Sequence, residues 1–127
     1  MNISVRGLGY DIVEISRIQR SVERFGDNFL DKIFTPQELA YCFAKANPYP
    51  SLAVRFAAKE ALAKALQTGI GAEFFWKTSM IKIGSRGEPM VELAQEGMAL
   101  LKSLAGREIK ISLSHTRALA SAVAIIL

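Results

Sequence analysis

The chain has 127 residues, half of them apolar, and 16 Lys and Arg against 12 Asp and Glu give a net charge of +4. That length suits a single domain, residues 1–127, with a real core and no room for a second. The lone Cys42 excludes an intramolecular disulfide, and no Cys/His cluster has zinc-site spacing. With neither a signal-type leader nor an apolar run of membrane-spanning length, a soluble, unprocessed protein of the reducing cytoplasm is expected. A positive balance favours acidic partners, and position in the fold must say which.

Residues Asn2 to Ile12 alternate loosely and carry two glycines, which predicts a strand that exposes Asp11 at its exit. Ile15, Ile18, Val22 and Phe25 then recur at helical steps, predicting an amphipathic helix from Glu14 to Phe25 that Gly26 stops. Arg17, Arg20 and Arg24 fall on a separate stripe of that helix, a basic ridge facing outward. Thr35-Pro36-Gln37-Glu38 is a capping box with Pro at the first helical position, opening a helix through about Ala46. Asn47-Pro48-Tyr49-Pro50 breaks the chain, Ser51 is the expected cap of a long alanine-rich helix to about Gln67, and Thr68-Gly69-Ile70-Gly71 ends it. Ser79 to Gly84 and Pro89 to Leu93 read as a hairpin around Ser85-Arg86-Gly87-Glu88. Leu93 to Leu104 returns to helical spacing with Gly106 beyond it, and Ile109 to Ser114 and Leu119 to Leu127 read as a second strand pair. The order predicts an α+β domain, an antiparallel sheet packed with a long central helix.

Two carboxylates stand out because both sit among apolar neighbours, where an unpaired charge is costly: Asp11 in Gly7-Leu8-Gly9-Tyr10-Asp11-Ile12-Val13-Glu14, and Glu60 in Arg55-Phe56-Ala57-Ala58-Lys59-Glu60-Ala61. One hard divalent cation would serve both, since Mg²⁺ takes one or two protein carboxylates together with substrate phosphate oxygens. On the central helix Glu60, Lys64 and Gln67 share a stripe, while Arg55 and Lys59 fall in the apolar sector of Leu52, Leu62 and Leu66. Either Glu60 and Lys64 form an ordinary surface pair with Arg55 and Lys59 snorkelling to solvent, or Glu60 holds metal while Arg55, Lys59 and Lys64 bind phosphate. Asp11 by itself is equally a turn residue, and His115, the only histidine, is equally a turn-satisfying side chain. Gly7-x-Gly9 lacks the third glycine and crossover of a dinucleotide site. Phe74, Phe75 and Trp76 read as core or subunit contacts, and without basic-aromatic interleaving or a recognition motif a nucleic-acid-binding role is not expected.

Together, Gly7 to Ile15, Arg55 to Ala61, Thr68-Gly69-Ile70-Gly71 and Ser112-Leu113-Ser114-His115-Thr116 resemble the holo-[acyl-carrier-protein] synthase family, the short 4'-phosphopantetheinyl transferases, nearly end to end. The resemblance implies the 4'-phosphopantetheinyl transferase fold and the transfer of phosphopantetheine from coenzyme A to a serine of an apo acyl carrier protein, releasing adenosine 3',5'-bisphosphate. It implies Mg²⁺ on Asp11 and Glu60, with Glu60 and Lys64 as catalytic residues. Arg55, Lys59, Lys64, Gly69, His115 and Thr116 match positions around coenzyme A, and Arg17, Arg20 and Arg24 match a docking ridge for the acidic carrier. It further implies a homotrimer with sites between subunits. A noncatalytic coenzyme A-binding or nucleotide-binding module with the same fold is the alternative. Gln67 stands where relatives commonly have glycine, Ala63 where they often have serine, and Glu88 where a lysine often precedes the proline. The first two bear on ligand contacts; the third looks like surface variation.

Overall fold

The computed structural model describes residues 4–71 and 73–127. Its elements run β1 (Gly7–Glu14), α1 (Ile15–Phe25), α2 (Asp27–Ile33), α3 (Pro36–Phe43), α4 (Tyr49–Ala65), a 3-10 turn at Trp76–Thr78, β2 (Ser79–Ile83), β3 (Pro89–Leu93), α5 (Gln95–Ser103), β4 (Ile109–His115) and β5 (Leu119–Ile126). The expected first residues of β1, Asn2 and Ile3, lie outside the described residues.

Three antiparallel strands in the order β1-β5-β4 form the main sheet, and β2 and β3 form a separate hairpin. Because directly paired residues share a face, Gly7, Gly9, Asp11 and Val13 line up with Ile126, Ala124, Ala122 and Ala120. That face lies under α4, and its small residues let the helix come close. A Cβ on Gly9 would land on the Ala61 carbonyl oxygen, and one on Gly7 would land on that of Ala65. On the helix side Ala53, Ala57, Ala61 and Ala65 are fully buried, so the alanine-rich sequence is a packing surface as well as a good helix former. The opposite face of the sheet is open, with Leu8, Tyr10 and Ile12 of β1 exposed by 64, 55 and 52 %.

Local expectations hold where the chemistry is local. The capping box forms in both directions: Thr35 N donates to Glu38 Oε1 at 2.9 Å and Glu38 N donates to Thr35 Oγ1 at 3.2 Å. Helix α4 starts two residues before the expected cap Ser51, because Pro50 fits the first turn, where no backbone donor is needed; Asn47 Oδ1 accepts from Tyr49 N instead. Helix α3 stops at Phe43, earlier than expected. The seven-residue α2, absent from the sequence reading, is held by burial of Leu30 and Ile33. Phe74 is fully buried and Trp76 stacks on Phe56 with centroids 4.8 Å apart, which places both in packing.

Candidate active site

Asp11 projects from β1 and Glu60 from the facing flank of α4. The close approach of strand and helix brings their charges together. Burial, and then the neighbouring Asp11 carboxylate, push the Glu60 carboxyl above the usual carboxylate range, while Lys64 and Arg17 act in the opposite direction. One turn beyond Glu60, Lys64 Nζ donates to Asp11 Oδ1 at 3.1 Å and to the Tyr10 carbonyl at 2.9 Å. The cluster of Asp11, Glu60, Lys64 and Arg17 thus draws on β1, α4 and α1. Among the described residues no third His, Cys, Asp or Glu joins the two acids. Two half-buried carboxylates facing each other between strand and helix, one of which already holds an ammonium, suit a hard divalent cation, which needs only one or two such ligands when phosphate supplies the rest.

Around the cluster, Arg17, Arg20 and Arg24 line one shallow concavity of about 510 Å³ together with Phe25, and all three are exposed on α1. The basic stripe inferred from spacing is therefore a continuous surface, and Arg17 connects it to the acids.

Arg55 lies elsewhere, on the far flank of α4. It is 98 % buried, with 2 % exposure; its Nη1 donates to the Ser51 carbonyl at 3.1 Å and its guanidinium sits 4.5 Å over the Tyr41 ring. Its Nε is buried without a partner among the described residues. This side chain forms one wall of a cavity of about 420 Å³ between α3, α4 and the β2-β3 hairpin, with Gln37, Tyr41 and Lys82 among its other walls.

Lys59 requires a correction. Expected among the phosphate-binding cations, its side chain is fully buried, and Nζ donates to the Trp76 carbonyl at 2.8 Å and the Ser79 carbonyl at 2.7 Å while pairing with Glu38 Oε1 at 2.9 Å. All three ammonium protons are occupied, so within this chain none is left for a ligand. Burial lowers the Lys59 pKa, and the Glu38 charge opposes that shift. Glu38, read from sequence only as a capping residue, also accepts from Ile81 N at 2.8 Å and so ties α3, α4 and β2 together. A lysine in an apolar helix sector was the available signal that a buried anion must exist elsewhere. Cys42 packs beside this region, its thiol pushed up to about 11 chiefly by burial.

His115 and Thr116 lie at the β4-β5 turn. His115 pairs with Ala120, whose other neighbour is Val13 of β1, so it is separated from β1 by the width of β5, about 10 Å across two strand spacings. The exposed ring has Nδ1 3.2 Å from the Thr116 carbonyl, and Thr116 Oγ1 accepts from Ala118 N at 3.3 Å and Leu119 N at 3.1 Å. Gly69, φ +65, follows α4, and its N–H and that of Thr68 both donate to the Ala63 carbonyl at 3.1 Å. Gln67 takes φ +66 without being glycine, and its Nε2 donates to the Arg6 carbonyl at 3.4 Å. One chain therefore brings Asp11, Glu60, Lys64 and Arg17 together and leaves Arg55 and His115 at separate places.

The family model of the 4'-phosphopantetheinyl transferase superfamily matches residues 7–124. The chain belongs to that superfamily. The holo-[acyl-carrier-protein] synthase of Chlamydia trachomatis serovar L2 is 53 % identical over 119 residues, covering 94 % of this chain and 97 % of the relative. Among superfamily structures, the Helicobacter pylori holo-[acyl-carrier-protein] synthase in complex with coenzyme A superposes with a TM-score of 0.84 at 34 % identity, covering 94 % of this chain and 99 % of that one. The synthase from Neisseria meningitidis gives a TM-score of 0.90 at 31 % identity, covering 98 and 99 %. The expected α+β transferase fold is thereby shown, and with it the enzyme class.

Within this superfamily member, the raised Glu60 pKa has a definite consequence for the metal-free protein. A carboxyl with a folded pKa above its unfolded one lends stability that is full below the unfolded value and is lost as pH rises through the folded value. Glu60→Gln should therefore melt at the same temperature as wild type near pH 4 and at a higher temperature near pH 8, measured by calorimetry with a chelator present. A variant that melts lower than wild type at pH 8 would show that burial and the Asp11 charge do not disfavour ionised Glu60 in the fold.

Proposed function

We propose that this enzyme transfers 4'-phosphopantetheine from coenzyme A to a serine of an acidic acyl carrier protein in a Mg²⁺-dependent reaction. The observation that carries the reading is the convergence of Asp11 and Glu60 from separate elements onto one spot shared with Lys64. The coenzyme A complex of the Helicobacter pylori relative supports the donor, and the name of the Chlamydia trachomatis relative supports the acceptor.

Chemically, the serine oxygen forms a bond to the phosphorus bearing pantetheine as the bond from that phosphorus to the oxygen of adenosine 3',5'-bisphosphate breaks. There is little covalent work for a protein in such a step, so positioning and charge neutralisation dominate. Asp11 and Glu60 would hold the Mg²⁺, which would supply charge neutralisation at the diphosphate. Lys64, half exposed at the same spot, offers an ammonium to the phosphate oxygens. Glu60 is the chain's candidate to accept the serine proton. The unpartnered Arg55 Nε and the cavity beside it suit the anionic nucleotide end of the donor, with His115, Thr116 and Gly69 as further contacts.

Because these groups lie apart within one chain, the site is completed between copies, in a homotrimer. The open β1 face, with Leu8, Tyr10 and Ile12 exposed, supports such self-association. The arginine surface on α1 is the carrier's docking ground, and its nearness to Glu60 through Arg17 would deliver the serine to the acids. Among the described residues no helix is long and apolar enough to cross a membrane.

Mass spectrometry of apo carrier incubated with the enzyme, coenzyme A and Mg²⁺ should show the gain of one phosphopantetheine; no gain under any condition would favour a noncatalytic coenzyme A-binding module. Asp11→Ala and Glu60→Ala should each lower turnover on the order of a hundredfold or more, with circular dichroism unchanged; wild-type turnover in either would remove that residue from the metal site. Reversing Arg17, Arg20 and Arg24 to Glu should raise KM for carrier, most strongly at low salt, with coenzyme A affinity nearly unchanged; equal loss of both would contradict separate surfaces. Sedimentation at assay concentration should give a three-copy mass, and an active monomer would refute the shared site.

A further inference from the structure

The cluster at Asp11 has a feature that the transfer reaction alone does not require. Lys64 is bound to Asp11 rather than merely near it: two of its three ammonium protons are used, one on Asp11 Oδ1 at 3.1 Å and one on the Tyr10 carbonyl at 2.9 Å. Glu60 in turn feels Lys64 and Arg17 as its neighbouring positive charges. Two carboxylates are thus balanced by two cations, and the cluster is close to neutral as it stands. A divalent ion added to this arrangement makes it doubly positive. Such an excess is unfavourable in a half-buried setting until an anionic group arrives.

We propose that Lys64 is a resident counter-cation that couples the divalent ion to coenzyme A. With no ion bound, its ammonium neutralises Asp11 and holds an oxygen that the ion would need. Loading the ion displaces the ammonium from Asp11. The side chain is free to leave because it is 51 % exposed and carries a flexible four-carbon stem. It then turns to the diphosphate, whose negative charge relieves the excess. The two ligands consequently bind with positive coupling, and linkage requires that each raise the affinity of the other by the same factor. This inference rests on the metal role proposed for Asp11 and Glu60, and it adds that their apparent affinity for an ion is set by competition with a side chain of the same helix.

The test measures binding of Mn²⁺ by electron paramagnetic resonance, with and without coenzyme A and without any carrier, so no turnover is involved. Lys64→Met removes the charge and both donors at similar length. It should bind Mn²⁺ alone about three- to tenfold more tightly than wild type, the range expected on removing a partly exposed competing charge. Coenzyme A should then tighten Mn²⁺ less in this variant than in wild type. Lys64→Arg keeps the charge and should bind Mn²⁺ alone like wild type. Thermal melting of the metal-free variants checks that each is folded. Unchanged or weaker Mn²⁺ affinity in Lys64→Met, with binding still lost in Asp11→Asn, would overturn the coupling while leaving the metal site standing. Failure of Mn²⁺ to bind wild type and variants alike, even with coenzyme A, would overturn both.

Discussion

The site depends on how closely α4 lies on β1. Gly7 and Gly9 present no side chains to the helix, and a single added carbon at either would meet the carbonyl oxygen of Ala65 or Ala61. Ala61 directly follows Glu60, Ala65 directly follows Lys64, and Gly9 lies two residues before Asp11. The contact that seats the helix is therefore the same contact that sets the distance between the two carboxylates. Small residues on both surfaces give this register its rigidity, because a well-packed interface cannot shift by fractions of an ångström without losing contacts across it.

Around its axis α4 serves three environments. One flank, with Glu60 and Lys64, meets β1 and α1. A second carries the alanines into the sheet. The third holds Arg55 and Lys59 against α3 and the β2-β3 hairpin, where Lys59 is wholly inside with Glu38. A buried ion pair adds little net stability compared with an apolar filling of the same volume, yet breaking it leaves an uncompensated charge and is costly. Here the pair also collects the carbonyls of Trp76 and Ser79 and the N–H of Ile81. It thereby fixes the hairpin, which among the described residues is a two-stranded sheet, against the helix. The cavity at Arg55 owes its walls to that anchoring.

The legible parts of this sequence are those whose signals are local. The Thr35-Glu38 capping box, the steps of Ile15 and Ile18, and the hairpin turn at Gly84 to Glu88 each announce their geometry within a few residues, and each is found. Asp11 and Glu60 were singled out because acids among apolar neighbours need a cation, and the resemblance joined them. Three things were hidden. Helix α2 is too short for a period to show and is held by tertiary burial of Leu30 and Ile33. The start of α4 precedes Ser51 because prolines are permissive in a first turn, whereas the sequence reading treated them as breakers. Lys59 was given to a ligand because it lies beside Glu60 and the resemblance placed it there; its apolar sector was visible, but the partner that decides its role is 21 residues away at Glu38.

The same electrostatics gives the site its direction of use. Two half-buried carboxylates held near each other are a cost to the metal-free fold, visible in the raised Glu60 pKa, and the protein offsets that cost with cations drawn from two different helices. Each of those cations is also open to the surface: Lys64 is half exposed, and Arg17 is the near end of the exposed arginine ridge on α1. On the proposed reading, an anionic substrate would compete with Asp11 for the Lys64 ammonium. On the same reading, a divalent ion between Asp11 and Glu60 would free Lys64 from Asp11, and the loaded site would carry an excess of positive charge suited to an anionic ligand. Stability given up at the acids is in this way the source of attraction for ligands, and the packing of Gly7 and Gly9 on α4 keeps the acids from relaxing apart.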